Sequence, residues 1–249
     1  MFTIGCDPEL FLKQNNKHVV AVGLVGGTKD MPRPLDDKGH AVLEDNVAVE
    51  FNIPPAHNHE EFCKSIQHVM QKLKEELPDY SFSEESAVLF DKEDLWHPQA
   101  LEFGCEPDFN AWTKDMNPRP EATNETLRSA GGHVHVGTNL DKIQVIRAMD
   151  LFLGVPSIKL DTGVLRRQLY GKAGAFRPKE YGVEYRTLSN FWIFKQELIE
   201  WVYNQTKKAL DFVQQGNEIS DEQGQVIQDC INNSNEKAYE TLVRTYQPC

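Results

Sequence analysis

Four separated stretches of this chain carry polar side chains at a two-residue period, with apolar residues at the intervening positions. They hold Asp7 and Glu9, Glu44 with Glu50, His133 and His135, and Glu184 and Arg186. A β-strand sends successive side chains to opposite faces, so this period puts each polar set on one side of a sheet. Ile4 and Cys6 then face away from Asp7 and Glu9, Val134 and Val136 away from the histidines, and Val183, Tyr185 and Thr187 away from Glu184 and Arg186. Around Glu50, the residues Val47, Val49, Phe51 and Ile53 alternate with Ala48, Glu50 and Asn52. If no bulge intervenes, Glu44, Asn46, Glu50 and Asn52 share a face. The pattern predicts noncontiguous strands that bury one face and gather ligating groups on the other.

Each pair alone means little. Two acids on a surface strand are commonplace, and Glu184 with Arg186 reads as a same-strand ion pair worth well under about 1 kcal/mol if exposed. Their shared period changes the reading, because coincident faces would bring five carboxylates and two histidines together. Such acids repel and take up protons unless cations neutralise them. Oxygen-rich ligands with one or two imidazoles suit Mg²⁺ or Mn²⁺ better than zinc. The cations Arg166, Arg167, Lys172, Arg177 and Arg186 cluster in the stretch that leads into the last of these strands, a supply suited to phosphate.

Between and after the strands, helical signals appear. Asn58 with Glu61 starts a helix whose stripe is Phe62, Ile66, Val69, Leu73 and Leu77, and Pro78 stops it. Asp141 caps a helix in which Ile143, Ile146, Met149 and Leu153 share a face. The chain from Leu101 to Ala130 reads as a strand and a long loop. From about residue 194 onward it is helical, with Phe194, Leu198, Trp201 and Val202 in one stripe and a further start near Ser220. Strands first and helices later predict an α+β fold, an antiparallel sheet with helices on one face, in a single domain over residues 1–249.

The remaining composition excludes several classes. A formal charge of -12 without a basic, aromatic-laced stripe disfavours nucleic-acid binding along an open surface. No apolar run approaches the roughly 18 residues of a membrane span, and the start Met1-Phe2-Thr3-Ile4 lacks a signal-peptide pattern. The expectation is a soluble, cytoplasmic protein. Five cysteines without C-x-x-C spacing fit reduced thiols.

The ordered motifs GCDPELFL, EDNVAVEFN, GGHVHVG and YGVEYRTLSNFW, spanning roughly Phe2 to Phe194, resemble the carboxylate-amine ligases related to glutamine synthetase and γ-glutamylcysteine synthetase. They are most similar to a small amidoligase family found largely in tailed bacteriophages, the COOH-NH2 ligases of type 2. The resemblance implies a curved antiparallel sheet of the glutamine synthetase type whose concave face holds several Mg²⁺ or Mn²⁺ ions bridging the phosphates of ATP. On it, Glu9, Glu44 and Glu50 match the acids of one metal, and Asp7, His133 and Glu184 those of another. His135 matches a histidine near the nucleotide phosphates, and Arg186 a residue that contacts the transferring phosphoryl group or the substrate carboxylate. Arg166, Lys172 and Arg177 join them as candidate nucleotide contacts, with Arg177 also a catalytic candidate. Two departures stand out: the shorter Asp7, followed by Pro8, replaces the usual Glu, and Asp45, Glu106 or Asp108 can stand in for Glu44.

The implied reaction is ATP-dependent amide formation. The γ-phosphoryl of ATP activates a carboxylate, an amine attacks the acyl phosphate, and inorganic phosphate leaves, with metals and arginines stabilising the phosphoryl charge. The substrates would be small-molecule or peptide carboxylates and amines, and an oligomer is possible. Guanidino kinases resemble the same sheet and phosphorylate nitrogen without forming an amide. A metal-dependent hydrolase is a further alternative, although in barrel amidohydrolases the H-x-H pair ends the first strand. A non-catalytic, metal-stabilised binding protein is the last.

Overall fold

The computed structural model of the chain describes residues 2–101, 108–118 and 124–246. Antiparallel pairing builds two main sheets from them. In the first, Phe109–Asn110, Ala175–Lys179, Gly182–Tyr185, Val134–Gly137 and Thr3–Cys6 follow one another. In the second the order is Lys17–Val19, Glu9–Gln14, Ala48–Asn52, Ala41–Asp45 and Arg33–Pro34, with Ser81–Ser83 also pairing with Glu9–Gln14. The single curved sheet expected from the motifs is thus divided in two. The division falls at Asp7-Pro8, where the proline has no N–H to continue the ladder. The sheets stay in contact there: Glu9 N–H donates to Gly131 O at 2.9 Å and Phe51 N–H to Pro8 O at 3.3 Å.

The two-residue alternation decides which face each sheet buries. Ile4, Cys6, Val134, Val136, Val183, Tyr185 and Phe176 belong to one apolar core together with Phe62, Ile66, Val145, Met149 and Val202. The last five come from helices His59–Glu76, Lys142–Met149 and Gln196–Gln214. The helices therefore cover one face, as the pattern predicts, and the polar face is left for chemistry. Asn58 caps the first helix by accepting from Glu61 N–H at 3.0 Å, and Asp141 caps the second by accepting from Gln144 N–H at 2.9 Å. Ser220 and Gln223 form a capping box at Asp221–Asn233. A π-helical segment, Asp150–Gly154, interrupts the second helix, and the sequence pattern does not foretell it. Ser234 in the left-handed conformation separates Asp221–Asn233 from Glu236–Tyr246. No helix among the described residues is long and apolar enough to cross a membrane.

Candidate active site

Register in the first sheet sets a polar row. Gly5 pairs with His135, His135 with Glu184, and Glu184 with Arg177, so these residues share one face across four strands. One step along, His133 precedes its strand and meets Arg186, whose Nη1 lies 3.2 Å from His133 Nδ1. The two glycines before His133 are required sterically: a Cβ on Gly131 would overlap the His133 ring, and one on Gly132 would overlap Ser189 O. Asp7 leaves the end of Thr3–Cys6 and brings Oδ1 to 3.2 Å from His133 Nδ1 and 3.1 Å from His135 Nε2. Asp7, His133 and Glu184 each offer a ligand atom within 4.8 Å of the others.

The second sheet supplies an opposite wall. Glu9 and Glu50 are direct cross-strand partners, an arrangement that like charges disfavour. Asp45 joins them, and the three oxygens also lie within 4.8 Å of one another. Lys29 Nζ lies 2.9 Å from Asp45 Oδ1. Both trios open onto one cleft of about 510 Å³, which Arg166, Arg177, Lys179 and Arg186 also line.

The two trios differ in charge balance. Burial raises the pKa of Asp7, but the imidazoles of His135 and His133 overcome it and hold the carboxyl far below the usual range. Burial and Asp7 likewise oppose ionisation of Glu184, yet Arg186, His133 and Lys179 bring it down to about 2. Arg186 is ion-paired with Glu184, and Lys179 Nζ lies 2.7 Å from its other oxygen. Burial, Asp7, Glu9 and Asp45 all push Glu50 well above the ordinary range, with Lys29 acting against them. An acid crowded in this way is the site a divalent cation would complete. The donor sets fit magnesium or manganese: three carboxylates on one wall, two carboxylates and an imidazole on the other.

Of the residues predicted for the site, Asp7, Glu9, Glu50, His133, His135, Glu184, Arg166, Arg177 and Arg186 all line the cleft. Glu44 does not. The strands Ala41–Asp45 and Ala48–Asn52 form a hairpin through Asn46 and Val47, with Asn46 at φ 57°, and the turn pairs Asp45 with Ala48 and Leu43 with Glu50. The turn shifts the parity, placing Asp45 on the Glu50 face and Glu44 on the face of Val49. Glu44 instead accepts the N–H groups of Gly23, Val25 and Gly26 at 2.8, 3.0 and 2.7 Å. Lys172 is also outside the cleft lining; it sits in the turn before Ala175–Lys179, and its carbonyl accepts Ala175 N–H and Thr187 Oγ1–H. Asp108 does not join the acids, but pairs with Arg186 Nε at 2.8 Å and lies 3.4 Å from Arg177 Nε. Glu106 and Cys105 lie outside the described residues.

Three further groups lie at or beside the cleft, and the sequence signals them unequally. Lys179 was legible, since it repeats the parity of Arg177 on one strand. Tyr181, whose hydroxyl contacts His135 Nδ1, lies in the turn to the next strand and carries no such signal. Lys29 comes from the GGTKDMPRP loop. Arg166 is almost fully buried and donates to Thr187 O at 2.9 Å and Arg186 O at 3.2 Å, so part of its hydrogen-bonding capacity fixes the strand end that carries Arg186.

Residues 125–241 match the family described as Phage phiEco32-like COOH.NH2 ligase-type 2, the same family that the strand motifs resemble. The matched stretch holds His133, His135, Arg166, Arg177, Glu184 and Arg186, one wall of the cleft; Asp7, Glu9, Asp45 and Glu50 fall outside it. No curated protein matches the chain.

Proposed function

With the carboxylate-amine ligase family as premise, we propose that this chain is an ATP- and Mg²⁺-dependent ligase that forms an amide through an acyl phosphate on a glutamine synthetase type of fold. The observation that carries the reading is the convergence of two ligand trios with Arg166, Arg177 and Arg186 on one cleft. Asp7, His133 and Glu184 would hold one divalent ion, and Glu9, Asp45 and Glu50 another. Bound there, such ions would neutralise the triphosphate and the transferring phosphoryl oxygens.

The protein's own groups then have definable tasks. Arg186 and Arg177, held between Glu184 and Asp108, present fixed guanidinium charge where phosphoryl charge spreads in the transition state, and their ion pairs spare the cost of reorienting them. His135, whose two ring nitrogens meet Asp7 and Tyr181, would contribute positive charge rather than a free donor on the nucleotide side. The γ-phosphoryl passes to a carboxylate oxygen as ADP leaves. The amine nitrogen next attacks the acyl carbon, the carbon–oxygen bond breaks, and phosphate departs with its electron pair while the nitrogen loses a proton.

The test is incubation of the full chain with Mg-ATP and a panel of acids and amines, reading ADP, phosphate and product mass, with hydroxylamine as a trap. The proposal expects ADP release that depends on the acid and a hydroxamate when hydroxylamine replaces the amine. A phosphorylated amine without amide would indicate the kinase reading, and the proposal fails if ATP turnover ignores the acid.

A further inference from the structure

Away from the cleft, a third cluster of ligating atoms joins three parts of the chain. Asp36 lies in the loop between strands Arg33–Pro34 and Ala41–Asp45, His40 immediately precedes the second of these strands, and His68 projects from helix His59–Glu76. Asp36 Oδ2 is 2.8 Å from His40 Nδ1 and 3.0 Å from His68 Nε2, and the two rings are 4.9 Å apart, centre to centre. One ligand atom of each residue lies within 4.8 Å of the others. None of the three lines the cleft.

The surroundings hold this cluster in place. Asp36 Oδ1 accepts the N–H groups of Lys38 at 2.9 Å and His40 at 3.3 Å, which turns Oδ2 toward both imidazoles. Such outer hydrogen bonds are how proteins aim a ligating carboxylate. His40 is only 5% exposed, whereas His68 is 40% exposed and leaves a route from solvent. Without an ion, both rings must donate to a single oxygen. An ion between them would take one donor atom from each residue in place of those shared protons. Ligands about 2.0 to 2.1 Å from a tetrahedral metal stand roughly 3.3 Å apart, and the carboxylate oxygen, now 2.8 and 3.0 Å from the two nitrogens, would withdraw by about a few tenths of an ångström to reach that spacing.

We propose that Asp36, His40 and His68 form a divalent-metal site of zinc type, separate from the cleft, with water completing the coordination. Two imidazoles and one carboxylate select zinc or a neighbouring transition metal, in contrast to the oxygen-rich trio of Glu9, Asp45 and Glu50. Its role is structural. The ion clips the 36–40 loop to the helix at the start of the strand that ends in Asp45, and so fixes that strand from its far end.

Metal-stripped full-length protein is titrated with Zn²⁺ against a chromophoric chelator, and separately with Co²⁺ as a spectroscopic probe, in the native chain and in His68→Ala. The half-exposed His68 makes this a mild change, and His68→Gln replaces it should the alanine variant not fold. The native chain takes up one equivalent of Zn²⁺ more than the variant, shows additional visible Co²⁺ bands, and gains a larger Zn²⁺-dependent rise in Tm than the variant. Equal Zn²⁺ uptake and identical Co²⁺ spectra in the two proteins would overturn the proposal. Because the readout is metal uptake by a cluster outside the cleft, the ligase reading can fail without affecting this result.

Discussion

On one wall of the cleft, Asp7 and Glu184 are met by two imidazoles, Arg186, Arg177 and Lys179, whereas on the other Glu9, Asp45 and Glu50 crowd together with Lys29 forming the ion pair to Asp45. The first wall carries its own counter-charge: its carboxyls are held below their ordinary range. The second is incomplete, with Glu50 pushed above it. A preformed, neutralised wall orients what binds. A wall with surplus charge has free energy to release when a cation arrives, and supplies the affinity for it.

The sharpest way to break this contrast is to remove one acid from each wall. Glu184→Gln and Glu50→Gln should each cut ligase turnover by roughly 10² to 10³, the usual scale for losing one electrostatic contact to the reacting group. Their metal-free stabilities should move in opposite directions. Glu184→Gln removes the buried counter-charge of Arg186, which keeps only Asp108, and of the partly exposed Lys179, and should cost about 1 to 3 kcal/mol. Glu50→Gln relieves repulsion and should leave metal-free stability unchanged or higher, as read by urea denaturation. Equal destabilisation by the two variants would show that the walls do not differ.

A second difference is one of depth. Behind the histidine wall, fully buried Asp150 accepts Trp112 Nε1–H at 2.7 Å and the Tyr185 hydroxyl at 2.8 Å, linking the π-helical segment to the strand that carries Glu184. Burial pushes its carboxyl up to about 7 against these donors. The folded form therefore keeps a proton that the unfolded chain gives up near 3.8. Its contribution to stability is fully present below that value and is lost as pH rises through about 7, on the order of 4 kcal/mol across the window. Urea denaturation between about pH 4 and 7.5 should show this fall in the native chain, and Asp150→Asn should flatten it whatever its absolute stability. On the proposed reading, magnesium would provide the counterpart on the acidic wall. At a hundredfold excess over its dissociation constant it should add about 2.7 kcal/mol, most of it absent in Glu50→Gln, as followed by thermal melts.

These contrasts also mark what could be read from the chain. Period-two alternation places Asp7, Glu9, Glu50, His133, His135, Glu184 and Arg186 on polar faces, because a strand's side-chain direction is a local property. The same holds for the caps at Asn58, Asp141 and Ser220. What alternation does not carry is the phase across a turn. Between Glu44 and Glu50 the backbone reverses at Asn46, so counting residues through the hairpin assigns the wrong acid. The division of the sheet at Pro8 and the pairing of Asp108 with arginines from another strand depend on long-range packing and leave no periodic trace. Glu9 facing Glu50 is a matter of register between strands, which tertiary pairing sets.

The hairpin also supplies the smallest of the expected effects and the cleanest control. Asp45 and Glu44 are adjacent in sequence and similar in charge, yet one faces the cleft and the other caps the 23–26 turn. Asp45→Asn removes a ligand atom and should weaken magnesium affinity about tenfold, the lower end of what disturbing a metal site costs, while leaving the turn intact. Glu44→Gln should keep turnover within about threefold. It should lower stability by roughly 1 to 2 kcal/mol, because backbone N–H groups that a carboxylate satisfied must now share a weaker acceptor. Paired measurement of magnesium-dependent turnover and denaturation midpoint separates the two. If Glu44→Gln abolished magnesium dependence and Asp45→Asn did not, the hairpin would have to be re-registered by one residue, and with it the acidic wall.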